Sequence, residues 1–247
     1  DATQIALSSG RHLVLYNTRF DDNSGTANDR SELQSYLTLA GSPLVAGRSQ
    51  GFIRRTGGAD EAVLSGGAII TVAADDDIMT LETRRSDNDT NTVLPFRVAG
   101  QSAIQFLKLD DSWDYLSAQR STNQGGDVST TAVDVTYDVL DATSSLGSAF
   151  TFTPTSGNVT LNETGLYLVF ANTSLQKATN NTRTNFQQSL TLDGSIVPGS
   201  RTTTYVRGNE DTNEGMAAIG MIVSATAGQI LNVEVAKEPT GANGVIQ

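Results

Sequence analysis

One strand-like phrase occurs twice in this chain of 247 residues. The segments GRHLVLYNTRF (10–20) and GLYLVFANTSL (165–175) both open on Gly, carry Leu-Val at matching places and reach Asn-Thr in step. The copies lie 155 residues apart, which is too long a period for the repeats of a solenoid. The repetition therefore predicts an internal duplication of a whole domain.

The match extends well beyond these two strands. Three further pairs of segments follow in the same order: 30–42 with 183–195, 48–55 with 201–208, and 68–82 with 220–234. The spacing between the copies falls only from 155 to 152 residues, so the insertions are single residues in loops. The sequence predicts two domains of one fold, domain 1 over 1–112 and domain 2 over 113–247.

The spacing of apolar residues is typical of β-strands. The segment VDVTYDV (133–139) alternates apolar and polar residues, and 78–83 and 230–235 also have the pattern of short strands. Clusters of Gly, Asn, Asp and Ser separate such runs, and helical periodicity is confined to short turns around 111–117. Many short strands divided by turn residues predict an all-β chain with an antiparallel sandwich or barrel architecture.

One segment narrows this architecture to a family. FTPTSGNVTLNETGLYLVF (152–170) resembles the central signature of the C1q/TNF-like jelly rolls: an aromatic strand, a turn, a short apolar strand, then Gly-x-Tyr-x-x-Phe. TAGQILNVEV (226–235) is similar to a second family feature, a Gly-containing turn before the penultimate strand. The resemblance covers both repeats and implies two tandem antiparallel jelly-roll β-sandwich domains. A generic β-sandwich is the alternative.

The resemblance also implies contacts between subunits, because members of this family are commonly trimers packed on the outer face of the sandwich. The strand that begins at Gly165 carries apolar side chains on both faces, which favours a core on one side and a neighbouring subunit on the other. The first repeat differs, with Arg11 and His12 in place of Leu166 and Tyr167. The residues predicted to take part in assembly are Tyr167, Val169, Ile104, Phe106, Val133, Val135 and Tyr137.

The two repeats have unequal ends. Repeat two carries about forty residues with at least two strands before its Gly-x-x-Leu-Val strand, where repeat one has only residues 1–9. Repeat one instead continues to a closing strand within 91–109. We therefore expect domain 1 to lack its opening strands and domain 2 its closing strand. Because open edges are templates for pairing, neighbouring copies would lend each other strands, or the chain is part of a longer array. Ordinary shortened ends are the alternative.

Composition excludes several classes of partner. The chain has 16 basic and 27 acidic side chains, a net charge of −11, which disfavours nucleic acid and anionic lipid. It has no cysteine, so disulfides and thiolate metal sites are excluded. No apolar run approaches the ~18 residues of a membrane span. The expected partners are further copies of the chain, with carbohydrate as a weaker hypothesis, and neither nucleic acid nor membrane insertion is expected.

The sequence carries no recognisable catalytic motif. His12 is the sole histidine, so a Ser-His-Asp triad or a His-rich metal site has no support. No phosphate-binding Gly-rich loop occurs, and no motif singles out a pair of carboxylates for glycoside hydrolysis. We predict that the chain is not an enzyme and carries no cofactor.

A calcium ion is the one ligand that local spacing suggests. Oxygen-bearing side chains alternate in the segments 87–91 and 209–213, a spacing that suits Ca²⁺. Neither segment has the complete loop of a known calcium motif, and solvated turns are the stronger interpretation. The candidate ligands are Asp87, Asp89, Asn91, Asn209, Asp211 and Asn213.

These features lead to one functional prediction and one alternative. The prediction is a non-enzymatic structural protein, extracellular, on a cell surface or in a virion, that assembles into a filament, lattice or coat through contacts between jelly-roll strands. The alternative is a C1q-like oligomeric recognition module that binds carbohydrate or protein. A carbohydrate-active enzyme is a distant third reading.

Overall fold

The computed structural model of the chain describes residues 4–21, 30–44, 46–54, 61–85, 96–97, 102–141, 144–177, 183–207, 214–239 and 244–246. All regular secondary structure in these ranges is β-strand, and every paired strand is antiparallel to its neighbour. The prediction of an all-β chain with two tandem antiparallel jelly-roll β-sandwiches is confirmed.

The chain forms two compact units. Unit 1 contains Asp1–Asp111, and unit 2 contains Ser112–Asn209 and Asn213–Gln247. Each unit has two large sheets that enclose a hydrophobic core of its own, and unit 2 has a further two-stranded sheet.

The first unit has nine strands within its described residues: β1 (Gln4–Leu7), β2 (Gly10–Asp21), β3 (Arg30–Leu39), β4 (Ser42–Pro43), β5 (Ser49–Arg54), β6 (Glu61–Val72), β7 (Asp77–Arg85), β8 (Phe96–Arg97) and β9 (Ala103–Leu109). One sheet has the order β1-β7-β3, with β4 and β5 both paired to β3. In the other sheet, β6 pairs with one edge of β2, and β8 and β9 follow each other along the opposite edge.

Unit 2 has thirteen strands within its described residues: β10 (Ala118–Gln119), β11 (Gly125–Val128), β12 (Val133–Asp134), β13 (Val139–Leu140), β14 (Phe150–Phe152), β15 (Val159–Leu161), β16 (Gly165–Lys177), β17 (Arg183–Leu192), β18 (Ser195–Ile196), β19 (Thr202–Arg207), β20 (Glu214–Ala225), β21 (Gln229–Lys237) and β22 (Gly244–Ile246). One sheet has the order β14-β15-β21-β17, with β12 on β21 and β18 and β19 on β17. The other has the order β11-β22-β16-β20, and β10 pairs with β13.

The units repeat the same pairings in the same register. Leu13 of β2 lies opposite Ile69 of β6, and the matching Leu168 of β16 lies opposite Ile222 of β20. The structural counterpart of Ile222 is therefore Ile69, one residue before the position that the ungapped alignment of 68–82 with 220–234 gives, because the turn over 73–76 is one residue longer than the turn over 226–228. The hairpins that follow β3 and β17 both turn through two residues with positive φ, Ala40-Gly41 and Asp193-Gly194, as expected for a tight two-residue hairpin loop. The sequence repeat is therefore a repeat of the three-dimensional pairing scheme.

Both cores come from the alternate residues of these strands that point inward. Val14, Leu37 and Met79 are fully buried in unit 1, and Phe186 and Leu190 are fully buried in unit 2. One cross-strand pair differs in a compensating way: Tyr16 lies opposite Gly66 in unit 1, where unit 2 has Ala171 opposite Ile219. The volume lost on one strand is regained on the other, which keeps each core close-packed.

The structure corrects the strand predicted over 133–139. Two short strands, β12 and β13, occupy its ends, and residues 135–138 between them are outside any strand. Side chains satisfy the backbone there: Gln124 Nε2 donates to Asp134 O (2.7 Å), and the Thr136 amide donates to Gln124 Oε1 (2.9 Å). Hydrogen bonds from a side chain to the backbone compete with a sheet ladder, which is why an alternating pattern did not give one continuous strand.

Candidate interaction surface

The outward face of β16 and β20 carries four exposed apolar side chains. Leu166, Leu168 and Phe170 alternate along β16 and are 75 %, 54 % and 39 % exposed, and Ile222 on β20 is 62 % exposed. Leu168 lies directly opposite Ile222, so the four form one patch. Phe170 lies opposite Gly220, where a Cβ would stand 2.8 Å from the Phe170 ring. We call Leu166, Leu168, Phe170 and Ile222 the apolar face.

The equivalent face of unit 1 is better covered. Leu13, the counterpart of Leu168, is only 9 % exposed. It has a directly opposed apolar neighbour on each side, Ile69 on β6 and Leu107 on β9. Arg11 takes the place of Leu166, and its Nη2 forms an ion pair with Asp111 Oδ1 at 2.9 Å. A polar residue and a third strand thus reduce the apolar area that unit 1 exposes here.

The third strand has no described counterpart in unit 2. Along one edge of β2, β8 pairs with Phe20 and Asp21, and β9 continues from Asn17 to Arg11. Along the matching edge of β16, β22 pairs with Leu175–Lys177, which is the place of β8. Among the residues that the structure describes, no strand pairs with that edge over Leu166–Asn172, the place of β9. We call Leu166–Asn172 the open edge.

The inward side chains of the open edge reflect this difference. Val14 is fully buried beneath the sheet of unit 1, whereas its counterpart Val169 is only partly buried. Tyr167 packs edge-on against Phe150 with ring centroids 5.6 Å apart, and its hydroxyl donates to Glu163 O at 2.6 Å. The buried His12 makes the matching contact in unit 1, Nε2 to Ser8 O at 2.8 Å. His12 is thus a packing residue at the position of Tyr167.

The side chains predicted to take part in assembly all lie against the core of their own unit. Val135 is buried, and the others are partly buried; Ile104 and Phe106 belong to unit 1, and Val133, Val135, Tyr137, Tyr167 and Val169 belong to unit 2. The exposed residues on β16 are their sequence neighbours. The pattern could not separate the two sets because every position from Leu166 to Phe170 is apolar. The signal that distinguishes them is the other repeat, where Arg11 marks the outward phase.

Unit 1 also has a polar groove, on the outer face of β3 and β7. Thr80 Oγ1 lies in hydrogen-bonding contact with Thr38 Oγ1 and donates to Glu82 Oε1 at 3.2 Å, and the Tyr36 hydroxyl donates to Glu82 Oε2 at 2.8 Å. The Arg84 guanidinium lies 5.4 Å from the centroid of the Tyr36 ring. Burial, followed by the hydrogen bond to Glu82, raises the pKa of Tyr36.

The candidate calcium ligands cannot be placed. Asp87, Asp89, Asn91, Asn209, Asp211 and Asn213 all lie outside the described residues, so the calcium hypothesis stays a prediction. Within the described ranges, no three His, Asp or Glu side chains come close enough together to hold a metal ion. The same residues form no helix with the length and hydropathy needed to cross a bilayer.

No family model matches the chain, and no curated protein matches it. Among solved structures, the chain is similar to the N-terminal CBM22-1-CBM22-2 tandem domain from Paenibacillus barcinonensis Xyn10C. The two are 10 % identical with a TM-score of 0.30, and the match covers 98 % of this chain and 80 % of that one.

Proposed function

We propose that this chain is a non-enzymatic structural protein whose jelly-roll units, domain 1 over 1–112 and domain 2 over 113–247, assemble with further copies through the apolar face of unit 2. Contiguous exposed apolar residues mark interaction sites on soluble proteins. The observation that carries the proposal is the row of Leu166, Leu168 and Phe170 beside Ile222, all exposed on one sheet. The negative net charge of the chain opposes non-specific aggregation through this surface.

The size of the apolar face suits reversible association. Burying the exposed parts of these four side chains would contribute on the order of 4 kcal/mol before the costs of association. One such contact is weak, and repeated contacts in a filament, lattice or coat gain from multivalency. The C1q/TNF resemblance supports the same face, because that family commonly packs subunits on the outside of the sandwich. It also supports the proposed location: extracellular, on a cell surface or in a virion.

Substitution of one residue at the centre of the apolar face tests this proposal. Ile222→Lys places a charge beside Leu168 and would reduce assembly to monomers. Val63→Lys is the matched control, because Val63 lies on β6, the counterpart of β20, and is 59 % exposed. Sedimentation velocity over a concentration series, with electron microscopy of the most concentrated samples, distinguishes the two. Monodisperse 26.0 kDa particles of the unsubstituted chain at every concentration would contradict the proposal.

A second candidate function is recognition of carbohydrate or protein, which the polar groove of unit 1 favours. The partly exposed Tyr36 and Glu82 present a hydroxyl and a carboxylate on the outer face of β3 and β7, and such groups hydrogen-bond to sugar hydroxyls. Glycan-array binding that Glu82→Gln removes and Glu234→Gln retains would support this function, because Glu234 is the counterpart of Glu82 and accepts a hydrogen bond from Thr191. Equal binding by both variants would exclude the groove as the site.

A further inference from the structure

The open edge of β16 has the properties of a strand acceptor. Its residues, LYLVFAN (166–172), include no charged residue and no proline. Natural edge strands are usually protected by lysine, proline or a bulge, because an unprotected edge pairs with other chains. Over these residues β16 pairs with β20 in an unbroken register, with no bulge to turn the edge away.

Unit 1 contains the strand pairing that the open edge lacks. There β9 lies antiparallel on β2, with Leu107 opposite Leu13 on the outward face and Phe106 opposite Val14 on the inward face. The duplicated register assigns the same partners to unit 2: a position like Leu107 opposite Leu168, and one like Phe106 opposite Val169. A strand in that place would cover Leu168 and Val169, which are both more exposed than their counterparts Leu13 and Val14.

We propose that the open edge of β16 accepts an extended strand of the β9 type from a partner polypeptide, which pairs antiparallel with Leu166–Asn172 and completes the sheet as β9 does in unit 1. This inference rests on the proposed assembly function, because it names the chemistry of a partner for the same strand. The partner strand carries apolar side chains at the two positions that face the core and one at the position opposite Leu168. This pairing gives Tyr167 and Val169 a role in assembly, because the partner strand would cover both side chains.

A second copy of the chain is a poor source of β9 itself. Moving β9 out of its own unit would uncover Val14 there while covering Val169 elsewhere, so the exchange gains no sheet contact. Edge-to-edge pairing of β16 with β16 of a second copy leaves both folds intact and is the competing arrangement. It differs from the proposal in register, because Leu168 would face residues of another β16.

The probe is a fluorescent synthetic peptide with the sequence of residues 102–110, SAIQFLKLD. We expect it to bind the full chain, and a scrambled peptide without the apolar alternation to fail. Two N-methylated versions give the decisive comparison, one methylated at 103, 105, 107 and 109 and the other at 104, 106 and 108. Only every second amide of an added strand faces its acceptor. One version should therefore lose roughly a hundredfold in affinity, since each of about three hydrogen bonds is worth close to a factor of five, and the other should bind normally.

Disulfide formation fixes the register, because the chain has no cysteine of its own. The variant Leu168→Cys should cross-link to a peptide carrying Leu107→Cys, and not to one carrying Ala103→Cys, since directly opposed residues lie within disulfide reach. Absence of peptide binding would overturn the proposal. So would equal binding by both N-methylated peptides, which indicates side-chain adhesion alone, and so would a Leu168→Cys homodimer that excludes the peptide.

The same assay separates this inference from the proposed function. Ile222 lies on β20, away from the open edge, so the Ile222→Lys variant should still bind the peptide with the same N-methyl pattern. Peptide binding by an unsubstituted chain that never assembles would support the acceptor edge and reject the assembly function. Assembly through the apolar face without peptide binding would do the reverse.

Discussion

The strands β2 and β16 are two copies of one sequence in two different surroundings. Each pairs with a long neighbouring strand in the same register, Leu13 with Ile69 of β6 and Leu168 with Ile222 of β20. β2 is also covered by β9, and β16 has no described strand in that place. The difference shows that the duplication kept the pairing of the two long strands but did not keep the third strand at the edge of the sheet. In unit 2 this leaves the edge and outer face of β16 available to a partner.

Matched substitutions at the inward positions should give the largest difference between the two strands. Val14→Asp places a carboxylate in a fully buried site, and we expect it to destabilise unit 1 by more than about 4 kcal/mol. Val169→Asp, at the partly buried counterpart beside the open edge, should cost unit 2 roughly 1–2 kcal/mol. Denaturant unfolding followed by hydrogen exchange of amides in each unit measures both values. Equal costs would mean that the two edges are equally covered.

The Tyr16 and Gly66 pair offers a second test of how the copies differ. A Cβ on Gly66 would stand 2.5 Å from the Tyr16 hydroxyl, so Gly66→Ala should destabilise unit 1 by about 1–3 kcal/mol. The double variant Tyr16→Ala with Gly66→Ile recreates the Ala171 and Ile219 pair of unit 2 and should recover part of that loss. Thermal unfolding of the single and double variants checks the coupling, and strictly additive losses would refute it.

Alkaline pH should weaken unit 1 through Tyr16. Its hydroxyl lies 2.9 Å from Ser35 O and 2.5 Å from Gly47 O, and burial raises its pKa well above the usual value. The neutral form is favoured in the folded state, so this stability is complete below pH ~10 and is lost as the pH rises from there towards the folded pKa. Burial also raises the pKa of Tyr137, which should weaken unit 2 over the same range.

The check is unfolding of the Tyr16→Phe variant between pH 8 and 11, a range set around the ordinary tyrosine pKa of about 10. The variant should be less stable than the unsubstituted chain at neutral pH, because it loses the hydroxyl contacts, and unit 1 should then decline less steeply as the pH rises. An unchanged decline in unit 1 would show that another group is responsible.

Substitutions that swap the outward residues Arg11 and Leu166 between the two strands should have the smallest effect on stability. Arg11 pairs with Asp111, whose side chain is almost fully exposed, and exposed ion pairs contribute about 0–1 kcal/mol. Arg11→Leu and Leu166→Arg should each change the free energy of unfolding by less than about 1 kcal/mol. Leu166→Arg should nevertheless weaken assembly, and Arg11→Leu should not. A loss of stability without loss of assembly would place Leu166 in the fold and outside the interface.

Much of the fold could be predicted from the repeat alone. The aligned arginines Arg30 with Arg183 and Arg54 with Arg207 occupy the same ladder positions in the two units, directly opposite each other on β3 and β5 and on β17 and β19. Alignment of the copies therefore matched these ladder positions correctly, whereas between β6 and β20 the ungapped alignment was one residue off, because the turn after β6 is one residue longer than the turn after β20. The alternation of apolar and polar residues failed to predict the structure over 133–139, because the hydrogen bonds that Gln124 makes to Asp134 and Thr136 depend on contacts between separate segments.

The candidate site was less predictable than the fold. The sequence of β16 indicated apolar residues on both faces, but by itself it does not give the phase that points outward, because Tyr167 and Leu168 are both apolar enough for a core; only Arg11, at the place of Leu166 in the first repeat, marks that phase. That choice depends on the sheet on which β16 lies and on its neighbours. The open edge could be suspected from the unequal ends of the repeats, but its limits at Leu166 and Asn172 follow only from where β9 lies on β2.

The most direct test of the account is hydrogen exchange of the two homologous strands in the same sample. At a concentration where the chain is monomeric, the amides of Arg11–Asn17 should all be protected, because β6 and β9 cover both edges. Along Leu166–Asn172, every second amide should exchange rapidly and its neighbours slowly, since only the β20 side is paired. Uniform protection of both strands in the monomer would show that unit 2 completes its own sheet, and the acceptor edge would not exist.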